Sequence, residues 1–332
     1  MNKYECLKKN SYISGKYSIT PLRFEDRQDI MNWRNEQMYH LRQTQVLNIN
    51  DQNKYFKKIV SKQFSMHEPN QILFSFLENN KCIGYGGLVH LNWKKKDAEI
   101  SFIMDTKLEK KYFNVYWSKF LFFIEKVAFN NLNLIRIFTH AYNLRPHLYD
   151  VLLKNFYLEE SIIKSENLIK SNDVYIHSKI SKKFELRNAT IEYIDNAYKW
   201  LIDPVIRKHS FDKSKSNFES HYNWFNEKIN NKNCYYFFSF YENNICGSIR
   251  FDKTDCGYKI SYLIDKEFHR MGFGKIILRF GVMHLKNKIK KKLEVYGDVH
   301  NDNIASIKIF QSLLYKRLNL NESVIRFKKT II

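Results

Sequence analysis

The sequence lacks several patterns that mark secreted, membrane-spanning or metal-binding proteins. Its five cysteines, at positions 6, 82, 234, 246 and 256, show no C-x-x-C spacing, and their odd number argues against a disulfide framework. The first ten residues, MNKYECLKKN, have no apolar core typical of a signal peptide, and no run approaches the roughly 18 apolar residues of a membrane span. We therefore expect a reducing, cytoplasmic location, no membrane insertion and no metal site.

A basic tail or arm is also missing, although the formal net charge is +21. The excess of basic over acidic residues is ten up to Lys182 and eleven after it, so the charge is spread evenly. The densest cluster, residues 286–292, falls at the predicted end of a helix, where the helix dipole favours cations. We expect no nucleic-acid partner, and a general positive field that attracts anionic ligands.

The chain does contain enough apolar material for two packed domains. It has 332 residues, of which 44% are hydrophobic and 16% aromatic. The order of predicted elements also occurs twice, which indicates two copies of one fold, residues 1–182 and 183–332. A strand ending in Arg occurs at 18–25 and again at 183–190, and a hairpin with a Glu-Asn-Asn turn occurs at 71–89 and again at 235–251. A further strand at 98–104 matches 258–264, and another at 135–142 matches 293–299.

A glycine turn is the most informative feature of the second copy. Gly272 and Gly274 stand in EFHRMGFGKIIL, after the predicted strand 258–264 and before the predicted strand 293–299. Glycines let the backbone approach a ligand closely, and the first N–H groups of a helix beginning near Lys275 have no partner inside the helix. The turn therefore predicts a phosphate-binding site.

This order of strand, glycine turn, helix, strand and Asn-x-x-Ser helix start resembles the GNAT acyltransferases over residues 184–315. The family's Arg/Gln-x-x-Gly-x-Gly/Ala turn stands here as residues 269–274, with His269 in the first position. The resemblance implies an α/β (α+β) fold of two tandem GNAT-like domains, each a mixed sheet flanked by helices, and acetyl-CoA as co-substrate. The implied cofactor-binding residues are Leu263, Ile264, His269, Arg270, Met271, Gly272, Phe273, Gly274, Lys275, Asn303 and Ser306.

The family's usual catalytic side chains are replaced in this copy. Lys259 stands where a strand Glu often serves as base, and Phe310 stands where a helix Tyr often serves as thiol acid. The remaining candidates for the base are His300 and Asp298, at the end of the strand 293–299, and His221 in FESHYNWF. We favour His300, because a histidine ordinarily titrates near neutral pH whereas an aspartate needs burial to do so.

The expected acceptor residues resemble those of GNAT domains attached to enzymes of amino-sugar pathways. A nucleotide-linked sugar needs cations for its phosphates and aromatic faces for its base or sugar. Trp224 can instead be a core residue. Phe251, which follows Arg250 in the sequence, fits a core position more readily than Trp224 does. The candidates in this copy are Arg207, Ser210, Phe211, Trp224 and Arg250.

The first copy has no glycine after its strand AEISFIM, where DTKLEKKYFNVYWSKF follows, so it does not present the same run of amides. It resembles a GNAT-like group of surface-sugar biosynthesis through NWRNEQM, LRQ, GYGGLVH, AEISF and RIFTHAYNLRPH. The arginines can instead form surface ion pairs, and the histidines can be ordinary polar residues. The implied pocket residues are Arg34, Asn35, Arg42, Gln43, His90, Glu99, Tyr142, Arg145 and His147.

Together these resemblances imply an N-acetyltransferase that modifies the amine of an amino sugar, nucleotide-linked, for a surface polysaccharide or flagellar glycan. One alternative acceptor is a protein or peptide N-terminus. In another alternative the first domain serves only as a binding or dimerisation module, and a third makes the enzyme bifunctional. The resemblance also leaves room for a homodimer.

Overall fold

The fold is described from a computed structural model that covers residues 2–164, 173–212 and 217–331. The chain divides into two compact units, Met1–Ser181 and Lys182–Ile332. Each unit has one central β-sheet with helices on both faces, so the predicted α/β fold with two mixed sheets is confirmed.

The first unit builds an eight-stranded sheet in the order β1-β2-β3-β4-β5-β6-β8-β7. Its neighbours are antiparallel except for the parallel pair β5 and β6. The strands are β1 (Tyr12–Ser14), β2 (Tyr17–Pro21), β3 (Gln71–Glu78), β4 (Lys81–Asn92), β5 (Asp97–Met104), β6 (Arg136–Tyr142), β7 (Leu158–Ile163) and β8 (Val174–Ile180), and the helices are α1 (Arg27–Glu36), α2 (Ile49–Tyr55), α3 (Ser61–Phe64), α4 (Thr106–Glu125) and α5 (Pro146–Lys154).

The second unit builds a seven-stranded sheet in the order β14-β15-β13-β12-β11-β10-β9. Here the parallel pair is β12 and β13. The strands are β9 (Phe184–Asn188), β10 (Cys234–Tyr241), β11 (Asn244–Thr254), β12 (Gly257–Ile264), β13 (Leu293–His300), β14 (Lys316–Asn319) and β15 (Val324–Ile331), and the helices are α6 (Ile194–Ile202), α7 (Pro204–Arg207), α8 (Phe218–Asn230), α9 (Phe273–Ile289) and α10 (Ile304–Ser312).

The two sheets share small irregularities as well as strand order. The hairpins β3–β4 and β10–β11 both change register near the turn, between Phe76 and Leu77 and between Ser239 and Phe240. Both turns place two consecutive residues at positive φ, residues 79–80 and 242–243, which matches the twist of the flanking strands. The predicted repeat therefore extends to the pairing register.

Each sheet packs its two faces against different helices. In the second unit, α6 and α8 cover one face through a cluster that includes Trp200, Phe225 and Phe238. We call this the acceptor face. Helices α9 and α10 cover the other face, where Gly274 lies against Ile309. None of the helices in the described ranges is both long and apolar enough to cross a membrane.

Candidate active site

Two parallel neighbours in the second sheet separate before either strand ends. β12 and β13 pair only at residues 258–259 and 295–296, although β12 continues to Ile264 and β13 to His300. On its other side β12 stays paired with β11 as far as Ile264. The edge at residues 260–264 therefore has backbone groups that no described strand pairs with, and a ligand can bind there. We call this gap the strand opening.

Helix α9 begins close to the strand opening. Its first residue is Phe273, two positions before the predicted start near Lys275, and its N-cap is Gly272 with φ of 86°. None of the described side chains caps this end, and its first turn has no acidic residue. The leading amides of a helix have no acceptor within it, and the dipole is positive there. This end is suited to binding a phosphate group.

Gly274 lies inside the first turn of α9, and it has a packing reason to be glycine. A Cβ at this position would stand 2.7 Å from Cδ1 of Ile309 on α10, and 3.8 Å from the ring of Tyr262. The sequence assigned both glycines to close approach by a ligand. For Gly274, close contact with the end of the Ile309 side chain on α10 is a second cause.

The other predicted turn residues surround the end of β12. His269 donates from Nε2 to the carbonyl of Ile264 at 3.0 Å. Arg270 has φ of 64°, and the amide of Met271 donates to the carbonyl of Phe268 at 3.4 Å. Leu263 packs against the apolar cluster of the acceptor face.

A hydroxyl pair joins β12 to the start of α10. Asn303 caps α10 by accepting from the amide of Ser306 at 3.1 Å, and the Tyr262 hydroxyl donates to Oγ of Ser306 at 3.1 Å. Burial raises the pKa of Tyr262 to about 12, although the Ser306 bond acts in the opposite direction. Sequence reasoning missed Tyr262, and its signal was the alternation of YKISYLI, which sets it on the α10 face with Ile264.

Phe310 is packed as a core residue at the position where a tyrosine was expected. Its ring stacks on Phe327 with centroids 5.1 Å apart and lies 6.1 Å from the ring of Tyr262. A Cβ on Gly297 would stand 2.5 Å from its Cζ, so that glycine makes room for the ring. The hydroxyl in this region therefore comes from β12.

The loop after α7 contacts the end of β13 and the residues that follow it. The ring of Phe211 stacks on His300 with centroids 4.2 Å apart and planes 25° apart. Nδ1 of His209 lies 3.3 Å from a carboxylate oxygen of Asp302. Phe211 is 51% exposed, so this aromatic pair is open to a ligand.

Asp298 is held between two cations. Its two oxygens accept from Arg326 at 2.7 and 3.0 Å, and Nζ of Lys259 lies 3.3 Å away. Burial favours the neutral form, but the hydrogen bonds and charges of Arg326 and Lys259 outweigh it and lower the pKa. A carboxylate with a lowered pKa is a weak base, which disfavours Asp298 for proton removal.

His221 is a buried member of α8. Its ring stacks on Trp224 at 5.2 Å, and its Nε2 has no hydrogen-bond partner in the described residues. Burial lowers its pKa, so the ring is neutral at pH 7. It lies against the aromatic layer under the acceptor face.

The remaining acceptor candidates form a polar and aromatic surface. The guanidinium of Arg250 stands 4.9 Å from the Trp224 ring centroid, and its Nε donates to Asp252 at 2.8 Å. Arg207 donates to the carbonyl of Asp212 and accepts through its own carbonyl from the Ser210 amide at 2.9 Å. Phe251 is completely buried, as its core interpretation predicts.

The equivalent helix in the first unit begins in a different way. Only Asp105 separates β5 from α4, and its carboxylate caps the helix by accepting from the amide of Lys107 at 2.8 Å. Glu109 in the first turn pairs with Arg145 at 2.6 Å. Burial and the charge of Arg145 lower the pKa of His40 to about 3. Acidic side chains of the protein itself therefore occupy this helix end.

The acceptor-side candidates of the first unit form a hydrogen-bonded network. Glu99, which is 9% exposed, accepts from Arg42 at 2.8 Å and contacts Nδ1 of His90 at 2.9 Å. Arg34 donates to the Tyr85 hydroxyl at 2.7 Å and to Gln43 at 2.9 Å.

The other candidates of that unit have structural contacts. The Asn35 side chain donates to the carbonyl of Leu47 and accepts from its amide. The carbonyl of Tyr142 accepts from the Tyr149 hydroxyl at 3.2 Å, and the His147 ring lies 4.4 Å from Phe113.

Comparison with known families decides the identity of both units. Residues 19–179 match the family described as an acetyltransferase (GNAT) domain, and residues 195–314 match the acetyltransferase (GNAT) family. The chain belongs to the GNAT acetyltransferases. The predicted tandem arrangement and N-acetyltransferase activity are thereby confirmed, and the co-substrate of this GNAT protein is acetyl-CoA.

Solved GNAT structures resemble about half of the chain. Spermidine N-acetyltransferase from Vibrio cholerae, in complex with CoA and spermine, is 17% identical, with 51% of this chain and 97% of that one covered and a TM-score of 0.44. The Salmonella typhimurium acetyltransferase that modifies the N-terminal serine of ribosomal protein L7/L12 is 15% identical, covering 46% and 97%, with a TM-score of 0.39. No curated protein gives a significant match.

The two GNAT domains differ in their fit to acetyl-CoA. In the second domain, the end of α9 offers amides for the pyrophosphate, and the strand opening offers, for the pantetheine arm, an edge that no described strand pairs with. In the first domain, the carboxylate of Asp105 already binds the corresponding amide. Since the Asp105 carboxylate would repel a negatively charged pyrophosphate, the residues at the start of α4 do not fit the cofactor.

Proposed function

We propose that residues 183–332 transfer the acetyl group of acetyl-CoA to the amine of an amino sugar, nucleotide-linked, at the strand opening. The uncapped N-terminus of α9 beside that opening carries the proposal. Acetyl-CoA supplies an activated acetyl thioester. The leading amides of α9 bind its pyrophosphate, and the edge of residues 260–264 orients the thioester carbonyl.

His300 is the proposed base. It lies at the end of β13, stacked on Phe211, where the acceptor enters. The attacking amine forms a C–N bond and gives up a proton, which an imidazole nitrogen can accept. The engaged carboxylate of Asp298 and the buried ring of His221 are less suited to this role.

Tyr262 is the proposed source of a proton for the leaving sulfur. Its hydroxyl carries a proton at neutral pH, and its bond to Ser306 holds it at the α10 face of β12. The C–S bond breaks as the C–N bond forms, the thiolate takes up the tyrosine proton, and solvent returns a proton to the phenolate. The tyrosine thus replaces the helix hydroxyl that Phe310 does not supply.

The amino-sugar acceptor is supported by aromatic and cationic side chains on the acceptor face. Phe211 stacks on His300, and the guanidinium of Arg250 lies 4.9 Å from the Trp224 ring centroid. A peptide N-terminus is the second candidate acceptor. A cytoplasmic location, a homodimer and a non-catalytic first domain remain predictions.

The test measures the rate at which the whole chain releases the CoA thiol from acetyl-CoA. The acceptor is, in separate reactions, a UDP-linked amino sugar, a peptide with a free N-terminus, or spermidine. We expect turnover with the amino sugar, and we expect His300→Gln to lower kcat by about a hundredfold or more without weakening acetyl-CoA binding. His284→Gln, on α9 beside Phe237, is the matched control and should retain kcat. Turnover with the peptide alone would refute the sugar acceptor, and an unchanged kcat in His300→Gln would refute the base.

A further inference from the structure

The floor of the acceptor face has more cations than carboxylates. Asp298 is shared by Arg326 and Lys259, which leaves one positive charge in excess. Its side chain is only 9% exposed, whereas that of Lys259 is 42% exposed. The carboxylate is therefore shielded while an ammonium group faces the solvent. Residues 259 and 298 flank the point where the strand opening begins.

A second cluster of the same composition adjoins the first. Asp252 accepts from Nε of Arg250 at 2.8 Å and lies 3.1 Å from Nζ of Lys228. Asp252 and Lys259 are register partners on β11 and β12, so their side chains share a face at close range. Together the two clusters place four cations around two carboxylates.

The fold does not require these charges, because the first sheet lacks them. The pairing registers give each of these strand residues an equivalent in the first sheet. Arg250, Asp252, Lys259, Asp298 and Arg326 correspond, in that order, to Gly87, Val89, Glu99, His140 and Ile176. Arg326 thus corresponds to an isoleucine and Lys259 to a glutamate. The same architecture forms with the opposite charge at the centre, so the sheet topology does not by itself demand cations at these two positions.

We propose that Lys259 and Arg326 bind a phosphoryl group of the acceptor and are its specificity-determining residues. The inference rests on the proposed function, since it assumes that the amine enters from this face. The carboxylate of Asp298 holds both cations in place before the ligand arrives, which lowers the entropy cost of binding. A cationic acceptor such as a polyamine would be repelled here.

The test titrates phosphate-bearing probes into the whole chain already saturated with CoA, so that the cofactor site is filled. UDP represents a nucleotide-linked acceptor, and glucosamine 6-phosphate represents a sugar phosphate. We expect Lys259→Met and Arg326→Met each to lower the affinity for the probe that binds by about tenfold, the usual effect of losing a charge-assisted hydrogen bond. Lys328→Met is the matched control: its side chain is also 42% exposed, but it is paired one-to-one with Glu294.

The control should change affinity by less than about threefold, since only the screened general field is altered. Equal weakening by Lys328→Met, or no binding of either probe to the CoA-saturated wild type, would overturn the inference. The probe that binds identifies the source of the phosphoryl group. Absence of CoA binding in the loading step would refute the proposed function, whereas CoA binding without probe binding refutes only the inference.

Discussion

At the residue scale, His221 and His300 have very different surroundings on the same face. His221 is 7% exposed, and its Nε2 has no hydrogen-bond partner among the described residues. His300 stacks on the exposed Phe211 at the end of β13. Both histidines are candidate bases from the sequence, because neither burial nor stacking can be derived from the residue type alone.

The burial of His221 predicts a pH effect on stability. Burial lowers its pKa in the folded state, so the unfolded chain binds a proton more readily. The stability contributed by the neutral buried ring is fully present above the pKa that a histidine has in the unfolded chain. This stability is lost as the pH falls below that value, about 6.5. We therefore expect the second unit to lose stability between pH 7 and pH 5, and His221→Phe to lose less.

Urea unfolding of the whole chain, followed by tryptophan fluorescence at pH 7, 6 and 5, measures this difference. Histidines such as His40 and His284, whose pKa values are also lowered, are common to both proteins and cancel in the comparison. Parallel pH curves for the wild type and the variant would show that His221 is protonated equally in both states.

At the element scale, the contact between α9 and α10 predicts a coupling between two side chains. In the Gly274→Ala variant a Cβ would stand 2.7 Å from Cδ1 of Ile309, so the end of that side chain must move. Ile309→Val removes that Cδ1 atom. Alone it should cost about 1 kcal/mol or less, since Ile309 is only half-buried. In the Gly274→Ala background it should cost less, with a coupling of about 0.5 kcal/mol or more.

Unfolding free energies of the four proteins in this cycle measure the coupling, and acetyl-CoA affinity serves as a second readout. If Gly274 serves packing, the double variant should bind acetyl-CoA nearly as well as the wild type. If the unfolding free energies of the two substitutions add and the double variant loses acetyl-CoA binding, Gly274 is needed for ligand binding instead of packing.

The sequence predicted these elements well but not their contacts. The order of elements along the chain, the repeat and the positions of β12 and β13 follow from alternation and turn residues, which act locally. The start of α9 was predicted two residues late, because a glycine N-cap has no side-chain signal. The pairing of Asp298 with Arg326 depends on the register of β13 and β15, which no local pattern encodes.

At the scale of the whole molecule, the two domains share a fold and differ in their fit to acetyl-CoA. The second has a long turn and an uncapped helix, whereas the first has one linking residue whose carboxylate caps the helix. The sequence showed the missing glycine in the first copy but not the carboxylate that takes its place. We therefore propose that one chain binds one acetyl-CoA, at the turn that contains Gly272.

Isothermal titration of acetyl-CoA into the whole chain, with Gly272→Asp and Gly272→Asn as a matched pair, tests this claim most directly. Asparagine and aspartate have nearly the same size and are among the side-chain-bearing residues most often found at positive φ, so the backbone strain at residue 272 is matched and only aspartate adds a negative charge. We predict one site per chain in the wild type, and an affinity about tenfold or more weaker in Gly272→Asp than in Gly272→Asn. Two sites per chain, or equal affinities in the two variants, would contradict the account.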